Sequence, residues 1–303
     1  MSNEEMLAEL KKAGITTSTG GQMPIETAQA FIDTTFAQNE FLKLITTISM
    51  DSATYRLDTL GIDSRLMRKA TEGVAPTDIK SVTIGNRTLA VQEVILPYDI
   101  SFSFLENNIE KDKAEDSINK AFATQFANDL LDLDVNGDTA SSDPFISIID
   151  GWLKRASVDG SVHPVTIAGG DTVQTTMGAM IAAMPNKWKA DVTKLVFLLA
   201  PDQELSYRNL ISQKNTALGD KYLVEGRRAQ YVGVDVYPLP YMPGSTTPQI
   251  LLTPYKNLCT GIGRNIRVGK FINERARNLE YTITARVDAN YAISDAVVIA
   301  KKA

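Results

Sequence analysis

The chain has 303 residues, 44% hydrophobic and 22% charged, with a single histidine (His163) and a single cysteine (Cys259). At about 150 residues per domain this is two domains' worth of chain with enough apolar material for a sizeable core, and it excludes both an internal disulfide framework and a Cys/His zinc site. Lys and Arg total 31 against 36 Asp and Glu, a net charge of −5, and no basic run exceeds two residues. Such a chain is not expected to grip nucleic acid tightly. Its acidic start, Met-Ser-Asn-Glu-Glu, is unlike a signal peptide, and no apolar run approaches the roughly 20 residues that cross a bilayer. A cytoplasm-like compartment and no membrane partner are expected.

Residues 3–12 carry a helical pattern (Met6, Leu7, Leu10), 14–21 form a connector, and a second helical piece starts near Pro24 with Ala28, Phe31, Ile32 and Phe36. Residues 1–48 therefore read as an arm without a core of its own. Strand patterns follow at 53–60 and 81–104. The second contains a Gly85-Asn86 turn signal and the alternating run Ser101-Phe102-Ser103-Phe104. The polar segment between them bears Arg65, Arg68 and Lys69. Two extended arms joined by a polar tip predict a long hairpin over 49–107 that cannot bury both faces within one monomer.

Residues 112–133 predict a core-facing helix with Ile118, Phe122, Phe126, Leu130 and Leu133 on one stripe, ending in the loop 134–138. A second helix over 172–184, capped by Asp171, carries Val173, Met177, Met180, Ile181 and Met184. A buried strand over 195–199 and a helix opened by Pro201 follow. Strands are expected at 231–237, 250–252, 266–268, 281–287 and 296–300. This order is mixed α+β, without the alternation of a parallel α/β fold.

Few motifs carry chemistry. Asp132, Asp134, Asn136 and Asp143 match positions 1, 3, 5 and 12 of a calcium loop, but position 12 is Asp where the bidentate Glu belongs. A polar helix-terminating turn explains them without an ion. His163 precedes a proline and reads as a surface-turn residue, and Cys259 between Leu258 and Thr260 reads as a small buried hydrophobe. Gly261-Ile262-Gly263-Arg264-Asn265-Ile266 lacks the third glycine of a dinucleotide fingerprint and reads as a turn. No catalytic, cofactor or metal residue is assigned. Arg65, Arg68 and Lys69 are either a solvated tip or contacts to acids of a neighbouring subunit.

Taken in order, these segments resemble the major capsid proteins of tailed bacteriophages with the Hong Kong 97-type fold. The resemblance rests on the arm and long hairpin, on the helix running into Asn136-Gly137-Asp138 and Phe145-Ile146-Ser147-Ile148, and on three later passages. These are Tyr222-Leu223, the run Gly233-Val234-Asp235-Val236-Tyr237 with Leu239-Pro240-Tyr241-Met242-Pro243, and Arg286-Val287-Asp288 within 285–293. It implies an arm (1–48), an extended loop (49–107), a peripheral domain with spine helix (108–185), a mostly axial domain (186–262) and a C-terminal return to the peripheral domain (263–303). It implies hexamers and pentamers of an icosahedral head around double-stranded DNA, assembled in the host cytoplasm, with portal and decoration proteins as further partners. With so short a segment before the hairpin, it also implies a separate scaffolding protein rather than a large cleaved prodomain. The alternatives are an encapsulin-type nanocompartment shell and, from another class, a hydrolase using His163 or Cys259.

Overall fold

A computed structural model describes residues 40–61, 83–107, 114–213, 228–263 and 267–302. The arm before Glu40 and the hairpin tip with Arg65, Arg68 and Lys69 lie outside the described residues, as does Tyr222-Leu223. The described chain opens with α1 (Glu40–Leu44), β1 (Thr46–Met50), β2 (Thr54–Gly61), β3 (Thr83–Ala90), β4 (Gln92–Ser101) and α2 (Phe102–Asn107). Next come α3 (Ala114–Asn136), α4 (Trp152–Val158), β5 (His163–Ile167), α5 (Val173–Ala183), α6 (Asn186–Lys189), β6 (Leu195–Leu199) and α7 (Pro201–Ser212). The remainder is β7 (Gln230–Tyr231), β8 (Val234–Pro238), β9 (Gln249–Pro254), β10 (Leu258–Gly263), β11 (Arg267–Asn273), β12 (Asn278–Tyr291) and β13 (Val298–Lys302).

Two main sheets organise the molecule. One has the order β1-β10-β12-β11, with β4 on the other side of β12. The 14-residue β12 is its axis: Asn278 to Thr284 pair with β11, Leu258 to Ile262 of β10 pair with its far end, and all ten residues of β4 run antiparallel along it. The spine helix α3 packs on this sheet through Phe126, Leu130 and Leu133, and Phe122 stacks on Tyr98, which stacks on Tyr281.

The other sheet has the order β5-β13-β9-β6-β8-β7. Its central strand, Leu-Val-Phe-Leu-Leu, is buried at every position, as a strand covered on both faces requires. Val196 and Leu198 join the core under the spine helix, whereas Leu195, Phe197 and Leu199 join a second core with Met177 and Met180 of α5, Met184 just past its end, and Tyr207 of α7. The methionine stripe expected on α5 is therefore core. Segment 263–303 serves both sheets, since β11 and β12 lie in the first and β13 in the second. Residues 40–48 of the expected arm are built into the body: Phe41, Leu42 and Ile45 are buried, and β1 runs parallel to β10.

The hairpin's arms are β2 and β3, paired antiparallel from Thr54↔Ala90 to Gly61↔Thr83. Several local expectations are corrected. Gly85-Asn86 is no turn but mid-strand, where pairing with the partner arm overrides turn propensity; the Thr59 hydroxyl donates to the Gly85 carbonyl at 3.1 Å. Phe102 and Phe104 start α2 rather than continuing a strand, because the Ser101 hydroxyl accepts from the Phe104 amide. The 172–184 helix is capped by Thr172, which accepts from the Thr175 amide; Asp171 accepts from Ala168 instead. Gly261 and Gly263 belong to β10, where Gly261 leaves room for the Met50 sulfur, 2.8 Å from where a Cβ would stand. His163 is no turn residue but begins β5, which pairs parallel with β13.

The spine helix also runs past its expected end, to Asn136, and stops because Gly137 and Gly151 are in backbone contact. The Gly137 amide donates to Leu133 O and the Gly151 amide to Gly137 O. A Cβ on Gly137 would stand 2.5 Å from Ile149 O and 2.7 Å from Leu133 O, both immovable backbone atoms. Gly137→Ala is expected to cost about 2–3 kcal/mol in urea unfolding. Gly160→Ala, where an added carbon meets nothing, stays within about 0.5 kcal/mol.

Candidate functional site

The feature that needs explaining is how the hairpin stays attached. Of the paired residues whose side chains are described, only Leu57 and Leu89 are buried; they pack with Met50 and Cys259 in a small apolar cluster. The contacts that hold β3 beside that cluster are polar. Strand β3 does not join the five-stranded sheet by ladder bonds. Side chains from the end of β12 catch its backbone instead: Asp288 Oδ2 accepts from the Ala90 amide at 2.7 Å, and Asn290 Nδ2 donates to Thr88 O at 3.0 Å. Asp288 Oδ1 accepts from Arg155 of α4 at 2.8 Å. Burial raises the Asp288 carboxyl, partly offset by that guanidinium.

Arg87, next to these anchors, pairs with Asp159 just past α4 and donates to the Ser294 hydroxyl. Its guanidinium lies 4.5 Å from the Tyr291 ring centre. The Tyr291 hydroxyl donates to the same Asp159 carboxylate at 2.8 Å, and the Ser161 amide donates to its other oxygen. The ends of α4 and β12 thus form a pedestal for the hairpin. Beneath it, Asp134 on the spine helix is fully buried; its Oδ2 accepts from the Thr260 hydroxyl at 2.6 Å and its Oδ1 has no hydrogen-bond partner among the described residues. Burial drives its carboxyl well above the usual range, and the Asp288 carboxylate adds to the effect, against the Thr260 bond.

The four calcium-loop residues do not converge. Asp132, Asp134 and Asn136 lie on the last turns of the spine helix, and Asp134 faces Thr260. Asp132 accepts from Asn136 Nδ2, which also donates to Tyr241 O. Asp143 accepts from the Phe145 amide, closing its own turn. Among the described residues no three His, Cys, Asp or Glu side chains gather as metal ligands.

His163 and Cys259 are not brought together either. His163 Nε2 lies 3.2 Å from Asp295, which also holds Lys187 and the Trp188 indole. Burial would raise the Asp295 carboxyl, but those partners outweigh it and hold it low. Cys259 is buried in the other sheet, as its apolar flank implies, and burial pushes its thiol up to about 11. So protonated a thiol is a poor nucleophile.

Two outcomes follow from the pedestal. Arg87→Leu leaves Asp159 without its guanidinium and is expected to cost about 2–3 kcal/mol in urea unfolding, with faster hydrogen exchange at 83–90. Asp134→Asn keeps an acceptor for Thr260 and removes the buried acid. The folded wild type binds this proton more tightly than the unfolded chain, so its stability falls as pH rises from about 4. The gain of the Asn variant in urea midpoint should grow between pH 4.5 and 7.5.

No protein-family model matches the chain. A curated relative, named "Putative prophage capsid protein YqbE", from Bacillus subtilis (strain 168), is 32% identical over 308 residues, covering 98% of this chain and 97% of the relative. Among solved structures, the satellite phage P4 procapsid including the size determination (Sid) protein aligns with TM-score 0.69 at 16% identity, over 100% of this chain and 98% of that one. The capsid of an empty GTA particle aligns at 0.63 and 15% identity, covering 88% and 90%. The holo-SrpI encapsulin complex of Synechococcus elongatus PCC 7942 aligns at 0.53 and 13%, covering 97% and 94%. The architecture built on β12, the spine helix and the clamped hairpin is therefore the Hong Kong 97-type fold, and the chain belongs to the prophage capsid-protein family as a phage major capsid protein.

Proposed function

We propose that copies of this chain form the hexamers and pentamers of an icosahedral head that encloses double-stranded DNA, with the extended hairpin of each subunit lying over its neighbour. The observation that carries this reading is the hairpin itself: clamped at its root, it leaves the described side chains on both faces of its arms exposed or half-buried apart from Leu57 and Leu89. Such a ribbon gains a second buried face only against another molecule. The basic residues of its tip, Arg65, Arg68 and Lys69, are the side chains we assign to acids of that neighbour. The five-stranded sheet with the spine helix is assigned to the peripheral domain, and the six-stranded sheet with α5 and α7 to the axial domain. This assignment moves 163–183 and β13 to the axial side of the boundaries expected from sequence.

The mild negative charge suits a container whose DNA must remain mobile during entry and exit. Assembly in the host cytoplasm with a separate scaffolding protein, a portal and a possible decoration protein completes the proposal. A virion is the location its capsid relatives indicate, and those relatives are structural rather than enzymatic. The encapsulin reading shares the fold, but the relative matched along nearly the whole chain is a prophage capsid protein.

Electron microscopy of the chain expressed with its prophage neighbours should show closed shells of hexamers and pentamers. Particles from an induced lysogen should protect DNA from nuclease. Small uniform shells filled with protein and devoid of DNA would overturn the phage-head reading in favour of the nanocompartment.

A further inference from the structure

The connection between β7 and β8 breaks the chemistry of its turn. Tyr231 pairs with Val234, so Val232 and Gly233 alone reverse the chain, with φ values of 52° and 80°. Both residues are left-handed, as in a type I′ hairpin turn, whose first position favours Asn, Asp or Gly. A β-branched side chain there is a true outlier, because its Cβ crowds the backbone. The subunit recovers little for this strain: Val232 is 68% exposed. Its remaining surface lines an apolar cleft of about 150 Å³, with Ile181, Met184, Val192 and Leu195. Lys189 contributes to the same wall, but its ammonium is turned onto the Ala182 carbonyl at the end of α5.

The charges flanking this patch are matched inside the subunit, Lys194 with Asp191 and Lys187 with Asp295. Among the described lining residues Lys189 is the one cation, and its ammonium is already engaged by a carbonyl. An apolar partner remains, and a copy of the same chain exposes suitable side chains in Leu205, Phe271 and Ile272. We propose that Val232 and the rim of this cleft form a contact with a second copy of the chain, and that the turn's strain is retained because an apolar tip serves that contact. The proposal rests on the shell reading above and adds a named surface to it.

Three substitutions separate the contact from the strain. Val232→Asn and Val232→Gly fit the left-handed turn, so the unassembled subunit should melt about 2 °C or more higher. The same two variants should lose at least tenfold in shell yield, read by sedimentation and electron microscopy at equal protein concentration. Val232→Ile keeps both strain and apolar tip; it should assemble within twofold of wild type and gain no melting temperature. Shells of Val232→Asn formed in wild-type yield would overturn the contact while leaving the shell reading intact. A lower melting temperature for both Val232→Asn and Val232→Gly would overturn the strain argument on which it stands. A wild-type chain that forms no particles would overturn the shell reading and this inference together.

Discussion

A two-stranded ribbon does not hold its shape alone in water, and the clamp on Arg87, Thr88 and Ala90 supplies what this ribbon lacks. The clamp uses side chains where a sheet would use ladder bonds, so it fixes the position of β3 without covering its edge. Each partner sits at the end of another element: Arg155 and Asp159 close α4, and Asp288, Asn290 and Tyr291 close β12. The anchoring groups are charged and largely withdrawn from water, where hydrogen bonds to ionised groups are stronger than neutral ones. A hairpin attached this way is fixed at its root, while Thr54, Tyr55, Arg56 and Asp58 of β2 stay exposed.

The rest of the subunit exists to hold those ends in register. The spine helix presses on β12 through its apolar stripe, and the Gly137–Gly151 contact sets where α4 begins. The six-stranded sheet is buried on both faces, so one face completes the core under the spine helix and the other builds the core with α5 and α7. The two sheets are thus coupled through shared side chains rather than through a linker. Asp134 is the exception to this economy: an acid with one oxygen unmatched among the described residues, buried beside a second carboxylate.

Sequence periodicity was most informative where burial is complete or one-sided. The run 195–199 and the helix opened by Pro201 were legible because an all-apolar pentapeptide and a helix-starting proline leave little freedom. The hairpin's arms were visible from alternation, but Gly85-Asn86 misled, since its meaning depends on Thr59 across the ribbon, and the expected second arm ran too far, since β4 pairs with β12 and Phe102 starts a helix. Strands β1 and β10 were hidden because Thr-Thr-Ile-Ser-Met and a glycine-rich segment gain strand character from their sheet neighbours, β1 from β10 and β10 from β1 and β12. The pedestal was almost invisible: Arg87 meets Asp159 72 residues away and Ser294 207 residues away, and no spacing announces such a meeting. The Arg286–Asp288 pattern was noticed through family resemblance, but its two residues part company, Arg286 to Glu93 on the outer face and Asp288 to the hairpin.

The position of β13 bears on when a subunit becomes competent to assemble. This strand, Val298–Lys302, lies between β5 and β9 in the middle of the six-stranded sheet. Until it has left the ribosome, β5 has no sheet neighbour and the inner edge of β9 is open. Closing such distant pairings is slow compared with local folding. Completion of both cores therefore waits for β13, which gives Val298 and Ala300 to one and Ile299 to the other. A nascent subunit that has not yet placed this strand has neither core closed, so the order of strands holds back the finished fold until both sheets are complete.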